Sequence, residues 1–114
     1  MTQSMTLRVA VIGAGYFGQF HHSAWNRLPG ARLVGIADLD GEKAAQSAAR
    51  YGIPNFTDYN AMFDAVEPDL VDIATTPDSH LELVAASAMR GLPVICQKPL
   101  ASTYDEAVAV VEAA

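Results

Sequence analysis

The sequence predicts an α/β domain, a doubly wound parallel sheet in three α/β/α layers, and three observations carry that reading. Four short apolar runs, at 7–12, 33–37, 70–74 and 94–96, are rich in Val, Ile and Leu and lack polar alternation, as expected of strands buried on both faces. Helix-period segments separate the runs, and strand alternating with helix implies right-handed crossovers onto a parallel sheet. The first run also turns into its helix through closely spaced glycines, in "VAVIGAGYFGQFHHSAW" from Val9.

The elements follow in order. In the first helix Phe17, Phe20, Ala24 and Leu28 fall three and four apart, and Pro29-Gly30 stop it. An Ala-rich helix over 42–51 starts behind Asp40 as its cap and ends at Gly52, a left-handed C-terminal position. A short strand is expected around "PNFT", and a short third helix in "TDYNAMFDAV". A fourth helix, 79–90, closes at Gly91, and a fifth opens with Thr103 and Glu106 at capping-box spacing.

The chain has 114 residues, enough for one domain, 1–114, with 1–6 expected as a flexible tail. Nothing follows the last helix, although a crossover helix ordinarily leads into another strand. The chain therefore reads as cut short before a last strand. An uncovered sheet edge and surplus apolar surface invite self-association, so a homo-oligomer is expected.

Lys and Arg total 7 against 13 Asp and Glu, a formal charge of −6, which excludes a binder of nucleic-acid phosphates. The lone Cys96 cannot form an internal disulfide and reads as a small buried hydrophobe. The start "MTQSMTLR" lacks the pattern of a signal peptide. No apolar run approaches the ~20 residues that span a bilayer. A cytoplasmic protein without membrane or metal partners is expected.

The glycines stand at G-x-G-x-x-G spacing, Gly13, Gly15 and Gly18, directly between a strand and a helix. Gly13 permits the tight turn, Gly15 lets a pyrophosphate approach the backbone, and Gly18 allows close helix packing. The anion would rest on the free N–H groups and positive dipole of the helix start. Asp38, in "LVGIADLD", stands at the tip of the second strand, where a carboxylate accepts from adenosine ribose hydroxyls. It would repel a 2′-phosphate, so a Rossmann-type site for NAD is predicted and NADP is disfavoured. Tyr16 would flank the pyrophosphate. His21 and His22 read as packing and surface residues, and Asp72 as a hydrogen-bonded carboxylate near a strand end.

Further along, Thr76, Pro77 and His80 form T-P-x-x-x-H, and Lys98-Pro99 follow the fifth strand. With "RVAVIGAGYFG" and "IADLD" in the same order, nearly the whole chain resembles the glucose–fructose oxidoreductase, inositol dehydrogenase and rhizopine-catabolism (Gfo/Idh/MocA) family. The resemblance implies the N-terminal NAD(P)-binding domain of an oxidoreductase. Such an enzyme moves a hydride between nicotinamide and a sugar, polyol or related hydroxy compound. It places Gly13, Gly15, Tyr16, Phe17, Gly18, Asp38, Thr75, Thr76, Pro77, His80, Gln97 and Lys98 along the cofactor. It also implies Lys98 as the catalytic residue at the reacting oxygen, and a second, substrate-binding domain that this chain lacks. The family's usual Glu-Lys-Pro is Gln97-Lys98-Pro99 here, which keeps hydrogen bonding but loses a charge that would support protonated Lys98. The isolated chain is expected to hold cofactor weakly and turn nothing over; the alternative is a non-catalytic dinucleotide-sensing module.

Overall fold

The computed structural model describes residues 6–96 and 104–113. The chain runs β1 (Leu7–Ile12), α1 (Tyr16–Arg27), β2 (Ala31–Ala37), α2 (Gly41–Ala49), β3 (Asn55–Phe56), α3 (Tyr59–Val66) and β4 (Leu70–Ile73). A 3-10 turn, Pro77–Ser79, then leads into α4 (His80–Met89), β5 (Val94–Cys96) and α5 (Tyr104–Ala113). The strands lie in the order β3-β2-β1-β4-β5, every neighbouring pair parallel. The order reverses between β1 and β4, the switch point at which doubly wound sheets open a crevice.

Both sheet faces are buried, which is why the runs do not alternate. Ala10, Ile12, Val34, Val71 and Ile73 meet Met62, Phe63 and Val66 of α3, Leu83 and Val84 of α4 and Val110 of α5. On the other face Val9, Val11, Leu33 and Ile36 pack with Ala48 of α2 and the half-buried Trp25 of α1.

The expected elements are all present, with shifted ends. β2 begins two residues early because Ala31 and Arg32 pair with Leu7 and Arg8. α2 stops at Ala49 because the Arg50 and Tyr51 amides bond only three residues back, to Ser47 and Ala48. Asp40 caps α2 as expected, accepting from the Glu42 and Lys43 amides at 3.1 and 3.2 Å. Such a cap contributes about 1 kcal/mol. α4 starts one residue late because Pro77 opens the 3-10 turn, closed by the Ser79 amide on the Thr76 carbonyl. Thr103 of the expected capping box lies outside the described residues, as does most of the expected tail.

Phe17, Phe20 and Leu28, whose spacing predicts the helix, are exposed, at 62, 59 and 50%. Gly18 and His22 are the buried positions: α1 lies so close to the glycine turn that no Cβ fits at Gly18, and the His22 ring reaches the Gly13 carbonyl one turn on. Tyr16 stands edge-on to both Phe17 and Phe20, with ring centroids 5.3 Å apart in each pair.

At the N-terminal end of the sheet the chain is tied shut. The Arg8 guanidinium donates to the carbonyls of Val66 and Glu67, which end α3. The Arg8 amide donates to the Asp69 carboxylate at 2.9 Å. Arg90, after α4, pairs with Asp64 at 2.7 Å and lies 5.3 Å over the Phe63 ring.

Candidate functional site

At the opposite end, β1 delivers the chain into the glycine turn. Gly13 has φ +121, and a Cβ there would stand 2.3 Å from the Ala74 carbonyl oxygen, so no other residue fits. Its amide donates to the Ala37 carbonyl at 2.7 Å, tying the turn to β2. A Cβ on Gly18 would meet the Gly13 carbonyl oxygen at 2.5 Å, so α1 presses on the turn itself. Gly15, the N-cap residue of α1, is different: nothing lies within 4 Å of where its Cβ would be. The first turn of α1 has no side-chain cap and no acidic residue. Its amides and its dipole are therefore offered to an anion over Gly15.

His22 holds this turn from below. Its ring is 1% exposed, and Nε2 lies 2.8 Å from the Gly13 carbonyl oxygen. A carbonyl only accepts, so Nε2 carries the hydrogen. Burial pushes the imidazole below its ordinary pKa, outweighing the carbonyl bond that favours the cation. The neutral ring is thus a fixed donor to the loop.

Asp38, just past β2, is half-buried and already engaged. Oδ2 accepts from the Ala14 amide at 2.7 Å and Oδ1 from the Asp40 amide at 2.8 Å. One carboxylate thereby joins the glycine turn to the β2–α2 loop. Each oxygen retains a second lone pair, the acceptor a ribose hydroxyl needs.

A groove of about 770 Å³ runs over these strand ends. Gly13, Gly15, Tyr16, Phe17, Gly18, Asp38, Thr75, Thr76 and Pro77 all line it, so the residues singled out in the sequence converge. His80 does not line it. It is fully buried, and its Nε2 lies 3.1 Å from the Thr75 carbonyl oxygen, so the expected contact along the dinucleotide becomes support for Thr75 from behind. Gln97 and Lys98 lie outside the described residues. Other lining residues, among them Leu39, Thr57, Tyr59, Glu82 and Leu83, carry no sequence signal of their own. The Tyr59 hydroxyl donates to Glu82 Oε2 at 3.0 Å, joining α3 to α4. Burial, then the Glu82 carboxylate, pushes that phenol above its ordinary pKa.

Asp72 sits on β4 away from the groove, 2% exposed. Its Oδ2 lies 2.7 Å from both His21 Nδ1 and Trp25 Nε1, so the expected hydrogen-bonded carboxylate is found and His21 gains a buried partner. Oδ1 has no partner among the described residues. Among those residues no group of three His, Cys, Asp or Glu could hold a metal ion, and no helix is long and apolar enough to cross a membrane.

The model of the Gfo/Idh/MocA oxidoreductase family, described as an NAD-binding Rossmann fold, matches residues 7–114. The chain belongs to this family. It is 42% identical over 105 residues to D-apiose dehydrogenase of Paraburkholderia graminis, a match covering 91% of the chain and 28% of the relative. It is 40% identical to inositol 2-dehydrogenase of Rubrobacter xylanophilus, covering 96% of the chain and 32% of the relative. An Agrobacterium radiobacter oxidoreductase, solved with NAD+, L-tartaric acid and magnesium, superimposes with a TM-score of 0.87. That pair is 37% identical and covers 94% of this chain and 32% of the other. The chain thus spans about a third of the length of the relatives it matches. The open space over Gly15, the uncapped turn of α1 and the half-used Asp38 carboxylate fit the dinucleotide this family binds.

Proposed function

We propose that this domain holds NAD in preference to NADP and serves a dehydrogenase acting on a sugar, polyol or related hydroxy compound. The observation that carries the cofactor preference is the fixed Asp38 carboxylate. Two backbone amides prevent it from swinging aside, so a 2′-phosphate would meet a full negative charge in the groove. The substrate class rests on the D-apiose and inositol dehydrogenases to which the chain is similar.

Bound nicotinamide would supply or accept the hydride. The chain's own residues bind and orient. Amides at the start of α1 take the pyrophosphate, Asp38 takes the adenosine ribose, and Thr75, Thr76 and Pro77 wall the groove towards the nicotinamide. Lys98, two residues after β5 in the sequence, is assigned the proton at the substrate oxygen through its family motif, with Gln97 as a neutral neighbour. Substrate contacts are assigned to a part of the enzyme beyond this domain, so the 114-residue chain binds cofactor without turnover.

The test is a titration of the chain with NADH and NADPH, followed by nicotinamide fluorescence, beside the same titration of Asp38→Ser. NADH is expected to bind at least about tenfold tighter, and the substitution to narrow that ratio about tenfold, the equivalent of ~1.4 kcal/mol. Equal binding of both cofactors by the parent chain would refute the preference.

A further inference from the structure

Beyond Asp38, away from the glycine turn, the groove ends against α3 and α4. Tyr59 opens α3 and Glu82 lies in the first turn of α4, so the hydrogen bond between them crosses that end of the groove. Beside that bond the lining is Leu39, Thr57 and the buried Leu83, mainly apolar. Leu39 is 92% exposed, a large apolar side chain held in water beside the carboxylate assigned to the ribose. A flat, largely apolar ring with a polar edge matches this enclosure.

The polar part of the wall is asymmetric. Glu82 Oε2 is occupied by the Tyr59 hydroxyl, whereas Oε1 makes no hydrogen bond among the described residues. Glu82 is exposed and a carboxylate is acceptor only, so this oxygen stands open to a donor entering the groove. The Tyr59 ring is itself held, packed against Phe63 with centroids 6.0 Å apart. The donor that orients the carboxylate is therefore fixed to the core of α3.

We infer that Glu82, positioned by Tyr59, reads the base of the dinucleotide, its Oε1 accepting from the exocyclic amine of adenine. This rests on the dinucleotide reading above and adds a selection to it. A 6-aminopurine offers a donor to Glu82, whereas a 6-oxopurine in the same place sets a carbonyl lone pair against the carboxylate. To be bound, the oxopurine must shift so that its ring N–H replaces the amine. Tyr59 does not touch the base. It removes the rotational freedom of the carboxylate, so the acceptor is in place before the ligand arrives.

The test uses the whole chain, the Glu82→Gln and Tyr59→Phe variants, and three probes: NADH, its hypoxanthine analogue and reduced nicotinamide mononucleotide. Binding is read by nicotinamide fluorescence. The parent chain is expected to bind NADH about tenfold more tightly than the hypoxanthine analogue. Glu82→Gln, whose amide both donates and accepts, is expected to lose most of that preference. Tyr59→Phe, which keeps the ring on Phe63, is expected to lose part of it. Affinity for the mononucleotide, which has no base, is expected to stay the same in all three proteins. Equal binding of the two dinucleotides by the parent overturns the inference. So does a preference that survives Glu82→Gln, or a parallel loss of mononucleotide affinity, which marks a general distortion. If the parent binds none of the three probes, the dinucleotide reading falls with it.

Discussion

The two ends of the sheet treat their unpaired backbone groups in opposite ways. At the N-terminal end, carbonyls finishing α3 are closed by the Arg8 guanidinium, and Arg90 is committed to Asp64 and Phe63. At the C-terminal end, α1 begins without a side-chain cap, over an empty space at Gly15. There the charged and buried groups, Asp38 and His22, hold the turn in shape and leave the helix amides uncovered. One end commits its charges to stability, and the other arranges them around a helix start left open to an anion.

That contrast can be broken first at Gly13. Gly13→Ala forces a Cβ against the Ala74 carbonyl at a backbone angle L-residues avoid. It is expected to cost ~3 kcal/mol or more in urea unfolding, and NADH binding with it. Next comes Arg8→Ala, which strips donors from the carbonyls that end α3. A loss of ~2 kcal/mol is expected, with the affinity of the folded protein for NADH unchanged. Altered affinity would show that the ends are coupled.

Gly15→Ala sharpens the comparison from the other side. The added methyl touches nothing in the protein, so unfolding is expected to move by no more than about 0.5 kcal/mol. NADH affinity is nevertheless expected to fall about tenfold, since the methyl takes the space assigned to pyrophosphate.

The smallest effect is titration of His22. Its folded-state pKa is lowered, so the unfolded chain gains the proton first. Stability is then complete above the unfolded value and declines as pH falls through ~6.5 towards the folded value. The urea midpoint is expected to drop between pH 7 and 5 in the parent chain. His22→Gln, which keeps a donor for the Gly13 carbonyl, is expected to lose that component.

What the sequence showed, and what it hid, divides by whether a short motif carries the residue. The glycine spacing, the carboxylate at the tip of β2 and the Asp40 cap each announce themselves within a few residues, although Asp38 is held by the Ala14 amide 24 residues away and Gly13 is confined by Ala74. Tyr59 and Glu82 are 23 residues apart and meet only because the sheet order brings the loops after β3 and β4 to one groove. A reading of strand order could have put the residues after β3 beside Asp38 and Leu39, since β2 and β3 are neighbours. Which way Phe17 and Phe20 face was hidden for a related reason. Spacing reports that a helix exists, but the tight approach at Gly18 decides which side faces in. His80 was misplaced likewise, because a histidine after Thr-Pro looks the same whether it faces a ligand or, as here, the carbonyl behind it.

The tether between Trp25 and Asp72 has an optical consequence. Trp25 is the only indole in the chain, and its N–H is fixed to a buried carboxylate. It also rides on the helix whose first turn faces the groove, nine residues on from Tyr16, or ~14 Å along the axis. Indole emission overlaps the absorption of reduced nicotinamide, so arrival of that ring should drain light from Trp25 by energy transfer. The protein therefore carries its own donor lamp, and occupancy of the groove can be followed without a label.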